Sequence, residues 1–298
     1  MKRFVRYQNG NYAVTIDTVT GTKVRENDLN FFRADFPESM DIKITNRCDI
    51  GCAMCHENST KDGLHGDIMS ESFIDKLRPY TELAIGGGNP LEHPDLVLFL
   101  EKCKRLKLIP SMTVNQVHFE KNFDFLKHLV DNKLIYGLGI SLVSADEEFI
   151  TKVAEFPNAV IHVINGMSAA PSELEKLACR GLKILILGYK EFRRGAEHYN
   201  SAGELIEKKK KSLYDTLPWI IREGWFEVVS FDNLAIKQLD AQRLMSNEEW
   251  EQFYMGDDGS ATLFVDMVNR EFAKSSTSTE RFSLGDDIVT MFEKIRTN

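Results

Sequence analysis

Seven short apolar segments recur between residues 40 and 231, and no other feature restricts the fold of this chain as strongly. They read MDIKIT, TELAIGG, PSMTVN, YGLGISL, AVIHVIN, LKILILG and FEVVSF. Between them run amphipathic stretches such as DLVLFLEKCKRLK, EFITKVAEF, SELEKLACR and LYDTLPWIIREG, whose apolar residues fall three and four positions apart. Strands that alternate with helices pair in parallel through right-handed crossovers, and six or seven such units curve into a full or partial (β/α) barrel. The expected fold class is therefore α/β, a partial (β/α)6 TIM-like barrel, with an open doubly wound sheet as the alternative. In a barrel the active groups gather at the C-terminal ends of the strands, so the residues just past each apolar segment matter most.

The ends of the chain read differently. RFVRYQNGNYAVTID alternates about the turn pair Asn9-Gly10, and TGTKV makes a second turn, which predicts a β-hairpin cap. The tail EEWEQFYMGDDGSATLFVDMVNREFAKSS reads as a helix, a hairpin turning at Asp257-Asp258-Gly259 and another helix, with a final short helix at DDIVTMFEKIR. The expected organisation is a hairpin cap over 1–38, the barrel over 39–238, and a small α+β extension over 239–298 covering one barrel face or edge.

A chain of 298 residues, 43% hydrophobic and 28% charged, can bury a large core, which argues against global disorder. MKRFVRYQNGNYAV has no apolar block of the signal-peptide kind, and no run reaches the ~20 apolar residues of a membrane span, so the expected localisation is cytoplasmic, away from membranes. A formal charge of −8 disfavours broad attraction to nucleic acid, and the run Lys208–Lys211 follows Glu204 and Glu207 as a solvated helix face would.

The first strand segment leads into NRCDIGCAMCHE, which sets Cys48, Cys52 and Cys55 at C-x₃-C-x₂-C spacing. The other two cysteines, Cys103 and Cys179, fall in helical contexts and read as buried small hydrophobes. Five cysteines with three crowded together do not form a disulfide framework; they point to a metal or cluster site. Three thiolates can hold three irons of a [4Fe–4S] cluster and leave the fourth for an external ligand. The rival reading is a structural zinc with His56 or His65 as fourth ligand, or a non-catalytic iron–sulfur sensor.

This spacing, in a loop after the first strand of a β/α repeat, resembles the radical SAM superfamily over roughly residues 40–235. The resemblance implies that Cys48, Cys52 and Cys55 ligate a [4Fe–4S] cluster and that S-adenosylmethionine chelates the remaining iron. It also implies reductive cleavage to a 5′-deoxyadenosyl radical that takes a hydrogen atom from the substrate, and a one-electron reductant such as flavodoxin or ferredoxin. Met54 stands where relatives more often carry an aromatic residue against adenine. In AIGGGNPLEHPDL, the residues Gly87, Gly88, Asn89 and Pro90 match the family's Gly-Gly-Glu-Pro motif, with Asn89 in place of the usual acid. Ser141, ending GLGIS, matches a serine that touches the cofactor in many relatives, and Asn115 and Asn165 end the third and fifth segments where polar neighbours are common. Each of these three is also read as a cap of the following loop or helix.

Substrate candidates lie past the later strands. LGYKEFRRG offers Tyr189, Lys190, Arg193 and Arg194, with one of the cations expected to meet an anionic group, and SFDNLAIKQL offers Asp232. His56, Glu57, His65 and Asp67, after the cysteines, are read either as part of the site mouth or as a hydrogen-bonding network within the loop. A small metabolite, a nucleotide-like molecule and a peptide are all compatible substrates. No second cysteine cluster follows the barrel, so auxiliary clusters are not expected.

Overall fold

A computed structural model describes residues 2–29 and 31–297. The N-terminal segment forms a three-stranded antiparallel sheet, β1 (Phe4–Asn9), β2 (Tyr12–Asp17) and β3 (Lys23–Glu26). The first turn closes one residue later than Asn9-Gly10: Asn9 pairs with Tyr12, leaving Gly10 and Asn11 as the loop.

All seven apolar segments are strands: β4 (Ser39–Thr45), β5 (Glu82–Gly87), β6 (Ile109–Asn115), β7 (Gly137–Ser141), β8 (Ala159–Ile164), β9 (Lys183–Leu187) and β10 (Val228–Phe231). They pair in parallel in chain order, six making the expected core and β10 extending it. The connecting helices are α1 (Ser72–Asp75), α2 (Leu96–Arg105), α3 (Gln116–Lys121), α4 (Phe123–Asp131), α5 (Glu147–Val153), α6 (Pro171–Leu177) and α7 (Arg194–Arg222). Lys210 and Lys211 on α7 pair with Glu207 and Asp215, so the lysine run is a helix face laced with local ion pairs.

Beyond β10 come α8 (Asn233–Leu239) and α9 (Asn247–Phe253), then β11 (Thr262–Asp266), β12 (Glu271–Ala273), β13 (Phe282–Ser283) and α10 (Ile288–Thr297). The extension corrects one expectation. The hairpin turns between Asp266 and Glu271, not at Asp257–Gly259, and the segment read as a further helix is its second strand. The reason is tertiary: β11 lies parallel to β4, where its buried Leu263 and Val265 join the barrel core. The extension therefore covers an edge by joining the sheet, whose order is β10-β9-β8-β7-β6-β5-β4-β11-β12-β13.

Strand alternation separates two environments. Leu83, Ile85, Met112, Val114, Leu138, Ile140, Ile161, Val163, Ile184 and Ile186 are buried in the hydrophobic core with helix residues such as Phe99, Phe119 and Phe149. The opposite positions carry Asp41, Lys43, Ala84, Gly86, Ser111, Thr113, Gly137, Gly139 and His162. A TIM barrel packed solid fills this side with branched aliphatics. Small and polar side chains here leave a lumen.

Candidate active site

The cysteine loop is anchored at both ends before any metal is considered. Cys48 N–H donates to Thr60 O at 2.8 Å, Thr60 N–H to Asn46 O at 3.0 Å, and Asn46 N–H to Leu64 O at 2.8 Å, so residues 46–48 and 60–64 form a short ladder past the end of β4. Within the loop, Cys55 N–H reaches Cys52 O at 3.3 Å and Asn58 N–H reaches Cys55 O at 3.1 Å. All three thiols are partly exposed. Burial raises the Cys48 thiol above its ordinary range, and repulsion from Cys52 and Cys55 adds to this; Cys52 is raised by burial and by Cys55. A bound cation is what favours the thiolates.

Gly87–Pro90 packs directly beneath this loop. Gly88 N–H donates to Thr45 O at 2.8 Å and Asn89 N–H to Arg47 O at 2.7 Å. Gly87 has φ +112°, and a Cβ on Gly87 or Gly88 would strike the carbonyl oxygens of Thr45 and Arg47 respectively. The glycines thus serve the contact between two strand ends. The Asn89 side chain is engaged within its own turn. Its oxygen accepts from Leu91 N–H at 3.2 Å and its amide donates to Glu92 at 3.2 Å, capping the single 3₁₀ turn Pro90–Glu92.

The basic segment after β9 turns back onto the cysteine loop. Arg193 starts α7 with φ +53°, a region that side-chain-bearing residues rarely occupy, and donates to Glu57 O at 3.1 Å. Arg194 donates to Ser59 O at 2.6 Å, and the adjoining Gly195 lies against Lys190 O and Met54 O. Tyr189 is corrected as a substrate candidate: it is buried beneath the start of α7, with its hydroxyl donating to Gly195 O at 2.9 Å. The expected cation–substrate contact is likewise replaced at Arg193 and Arg194 by braces on the loop. Lys190 alone reaches across, 3.3 Å from His56 Nε2 and 3.0 Å from Ser276 Oγ.

His56 and Glu57 form part of a network within the loop. Burial would raise the Glu57 carboxyl, but the His56 hydrogen bond and Lys43 overcome it and hold the acid well below its usual range. His56 sits 3.2 Å from Glu57, and His65 Nδ1 2.9 Å from Thr45 Oγ1, so both histidines proposed as zinc ligands are turned to other partners. Among the described residues, the metal-ligand atoms within 4.8 Å of one another are those of Cys48, Asp49 and His118; the three thiols are not gathered to that radius. A single tetrahedral zinc would require sulfurs about 3.8 Å apart. Three soft donors spread over one loop fit a polynuclear cluster instead.

Of the softer candidates, Asn115 caps α3, its oxygen accepting from Val117 N–H at 2.9 Å. Asn165 is fully buried and donates to Gln238 Oε1 at 3.1 Å, and Gln238 in turn clasps both backbone groups of Tyr189. Ser141 ends β7 level with His162 of β8. Asp232 caps α8, accepting from Ala235 and Gly188 N–H groups. Sequence reasoning passed over His118, whose ring lies 2.6 Å from Asp49 beside Cys48, and over the lumen residues Asp41, Lys43 and His162. The last three had a signal, a polar residue at alternate positions of otherwise apolar strands. Cys179 also differs from expectation: it is exposed just past the end of α6, with φ +58°.

No family model matches the chain. A probable GTP 3′,8-cyclase from Methanocaldococcus jannaschii is 29% identical over 140 residues, 44% of this chain and 45% of that protein, so the chain spans less than half the length of that curated relative. Streptococcus suis SuiB bound to its precursor peptide SuiA superposes with a TM-score of 0.63 at 13% identity, covering 99% of this chain and 90% of SuiB. SuiB bound to S-adenosylmethionine gives 0.62 at 11% identity, covering 100% and 90%. At such identities the likeness is one of fold, and it joins the relative and the three-thiol loop at the end of the first barrel strand. The fold, the partial match to the cyclase and the three-thiol loop together resemble the radical SAM superfamily. The radical SAM cofactors are a [4Fe–4S] cluster and S-adenosylmethionine, and the donor set described above suits them. No helix is long and apolar enough to cross a membrane among the described residues.

Proposed function

We propose that this radical SAM chain is an enzyme that cleaves S-adenosylmethionine reductively and takes a hydrogen atom from a substrate held in the barrel lumen. The observation that carries this reading is the three-thiol loop with a glycine-rich strand end hydrogen-bonded beneath it, set over a lumen of small and polar residues. Cys48, Cys52 and Cys55 hold the cluster, leaving one iron for the amino and carboxylate groups of S-adenosylmethionine. When bound, the two cofactors supply a 5′-deoxyadenosyl radical.

The chain's own residues position and shield. With the Asn89 side chain spent on its own turn, recognition of an ammonium at Gly87–Pro90 rests on backbone carbonyls. Met54 and Ser141 are assigned to the adenosine, and Asn115 and Asn165 hold strand ends in place around it. Arg193 and Arg194 fix the loop from behind, while Lys190 and Asp232 face the substrate from above the lumen. The relative named for GTP and the fold neighbour solved with a precursor peptide represent two substrate classes. The lumen suits a small molecule or a single projecting peptide side chain. A flavodoxin- or ferredoxin-type protein supplies the electron.

The test is anaerobic reconstitution, followed by dithionite and S-adenosylmethionine, with 5′-deoxyadenosine measured against Cys52→Ala. A four-iron cluster whose electron paramagnetic resonance changes on adding S-adenosylmethionine is expected. A protein without that cluster, or with a resonance indifferent to the nucleotide, overturns the proposal.

A further inference from the structure

The cysteine loop is held differently on its two sides. Past Cys55, Arg193 and Arg194 donate to the carbonyls of Glu57 and Ser59, and Gly195 lies against Met54 O. From Asp49 to Ala53, one hydrogen bond among the described residues leads out of the loop: His118 Nε2 lies 2.6 Å from Asp49 Oδ1. His118 sits on α3, the helix that follows β6, and is 3% exposed. Ligand atoms of Cys48, Asp49 and His118 all fall within 4.8 Å of one another, so the histidine reaches the loop beside its first cysteine.

The helix that carries this ring is fixed along its length. At its start Asn115 accepts from Val117 N–H at 2.9 Å, while Gln116 donates to Ser144 O at 3.0 Å and accepts from Val143 N–H at 2.8 Å. At its end Asn122 donates to His118 O at 2.8 Å. Phe119, the next residue, is fully buried against Phe123, Phe149 and Phe156. A carboxylate only accepts, so His118 Nε2 donates its hydrogen to Asp49. The Asp49 side chain is 55% exposed, and the pair therefore ties an exposed acid of the loop to a buried donor on a fixed support.

We propose that His118 is a positioning residue for the iron–sulfur cluster: by holding Asp49 it fixes the Cys48 end of the loop and eases the one-electron reduction of the cluster. The proposal rests on the radical SAM reading of the three thiols. Potentials of such clusters follow net charge, hydrogen bonding and exposure to solvent. Three thiolates already make the site rich in negative charge, and the Asp49 carboxylate adds to it beside Cys48. The hydrogen bond donated by His118 offsets part of that carboxylate charge, so an added electron meets less repulsion. Partners placed behind a metal ligand commonly tune its site in this way. A separate metal at these three residues is disfavoured, because Cys48 serves the cluster and His118 Nε2 is already engaged by Asp49.

The test is a redox titration of the anaerobically reconstituted full chain, followed by electron paramagnetic resonance without S-adenosylmethionine. At a fixed potential, His118→Leu should show an oxidised-to-reduced ratio at least threefold above that of the parent. Asp49→Asn should not exceed the parent, and adding His118→Leu to it should change nothing further, since the charge to be offset is gone. His118→Gln, which keeps a donor, should fall closer to the parent than His118→Leu does. A merely structural role would not make the effect of His118 depend on the charge at Asp49. Equal ratios in the parent and His118→Leu, or an undiminished effect in the Asp49→Asn background, overturn the inference and leave the radical SAM reading standing. The metal-free chain gives a second readout: amide hydrogen exchange over residues 48–55 should be at least threefold faster in His118→Leu, and equal exchange overturns the positioning. A parent protein that forms no four-iron cluster removes the radical SAM reading and the redox role with it. Zinc bound one-to-one by the cluster-free parent, lost in His118→Leu and Asp49→Asn but kept by Cys52→Ala, would make the trio a metal site of its own and overturn the inference as well.

Discussion

The ammonium of Lys43 on β4 lies 2.9 Å from the carboxylate of Glu57, two residues past the last cysteine of the loop, and 3.1 Å from Asp266 at the end of β11. All three are buried, so one lysine joins the first barrel strand, the cysteine loop and the strand added from the C-terminal extension. Lys43→Met leaves two buried carboxylates facing each other, and breaking a buried pair from one side costs about 3–5 kcal/mol. A matching drop in the urea unfolding free energy is expected. Lys43→Met combined with Glu57→Gln should recover part of it, since one uncompensated charge is gone. An unfolding midpoint unchanged in Lys43→Met would show that the network adds nothing to stability.

Gly86 and Gly88 lie two residues apart at the end of β5, and their surroundings predict opposite outcomes. A methyl group on Gly88 drives into Arg47 O, directly before Cys48, whereas one on Gly86 enters open space. Gly88→Ala should shift the cysteine loop and lower iron and sulfide content after reconstitution by half or more. Gly86→Ala should bind iron as the parent does. Equal iron in the two variants would mean that the close strand-end contact does not set the loop.

The cysteines divide by position. Cys52→Ala removes one of three loop thiols and should abolish the roughly 400 nm absorption of a reconstituted cluster. Cys179→Ala alters an exposed residue beyond α6 and Cys103→Ala a buried one in α2, and neither should change iron content. Cys103→Ala should instead lower stability by about 1 kcal/mol, through the lost packing of one buried sulfur. Cluster loss in Cys179→Ala would contradict the three-thiol assignment.

The barrel was legible because periodicity carries it: seven apolar segments at β/α spacing became seven parallel strands in chain order. The extension was misread because VDMVNREF has helix-compatible spacing, and only pairing with β4, more than two hundred residues away, makes it a strand and turn. The cysteine loop could be named from spacing alone, but the roles of its neighbours could not. Arg193, Arg194 and Tyr189 sit past a strand end as ligand-binding residues do, yet their partners are backbone carbonyls of Glu57, Ser59 and Gly195, which no local pattern encodes. Asp41 and His162 were visible as polar breaks in apolar strands. Their importance depends on which face is the lumen, and that is set by the face on which the helices pack.

His162 gives the last prediction. Its ring lies over Gly139, on the lumen side of β8, and burial alone lowers its pKa from 6.5 to about 4. The imidazole is therefore neutral in the folded protein at neutral pH, a state suited to accepting a proton or a hydrogen bond from a molecule in the lumen. The depressed value also fixes the sign of its effect on stability. Above pH 6.5 the ring is neutral in both the folded and unfolded chains and contributes no slope. Between 6.5 and about 4 the unfolded chain binds a proton that the folded chain refuses, so stability falls as the pH drops through that window. Urea unfolding measured at intervals across the window should show a steeper acid loss in the parent than in His162→Gln, which has no titrating ring there. Parallel curves for the two proteins would mean that the ring is solvated enough to titrate normally and does not act as a neutral imidazole in the lumen.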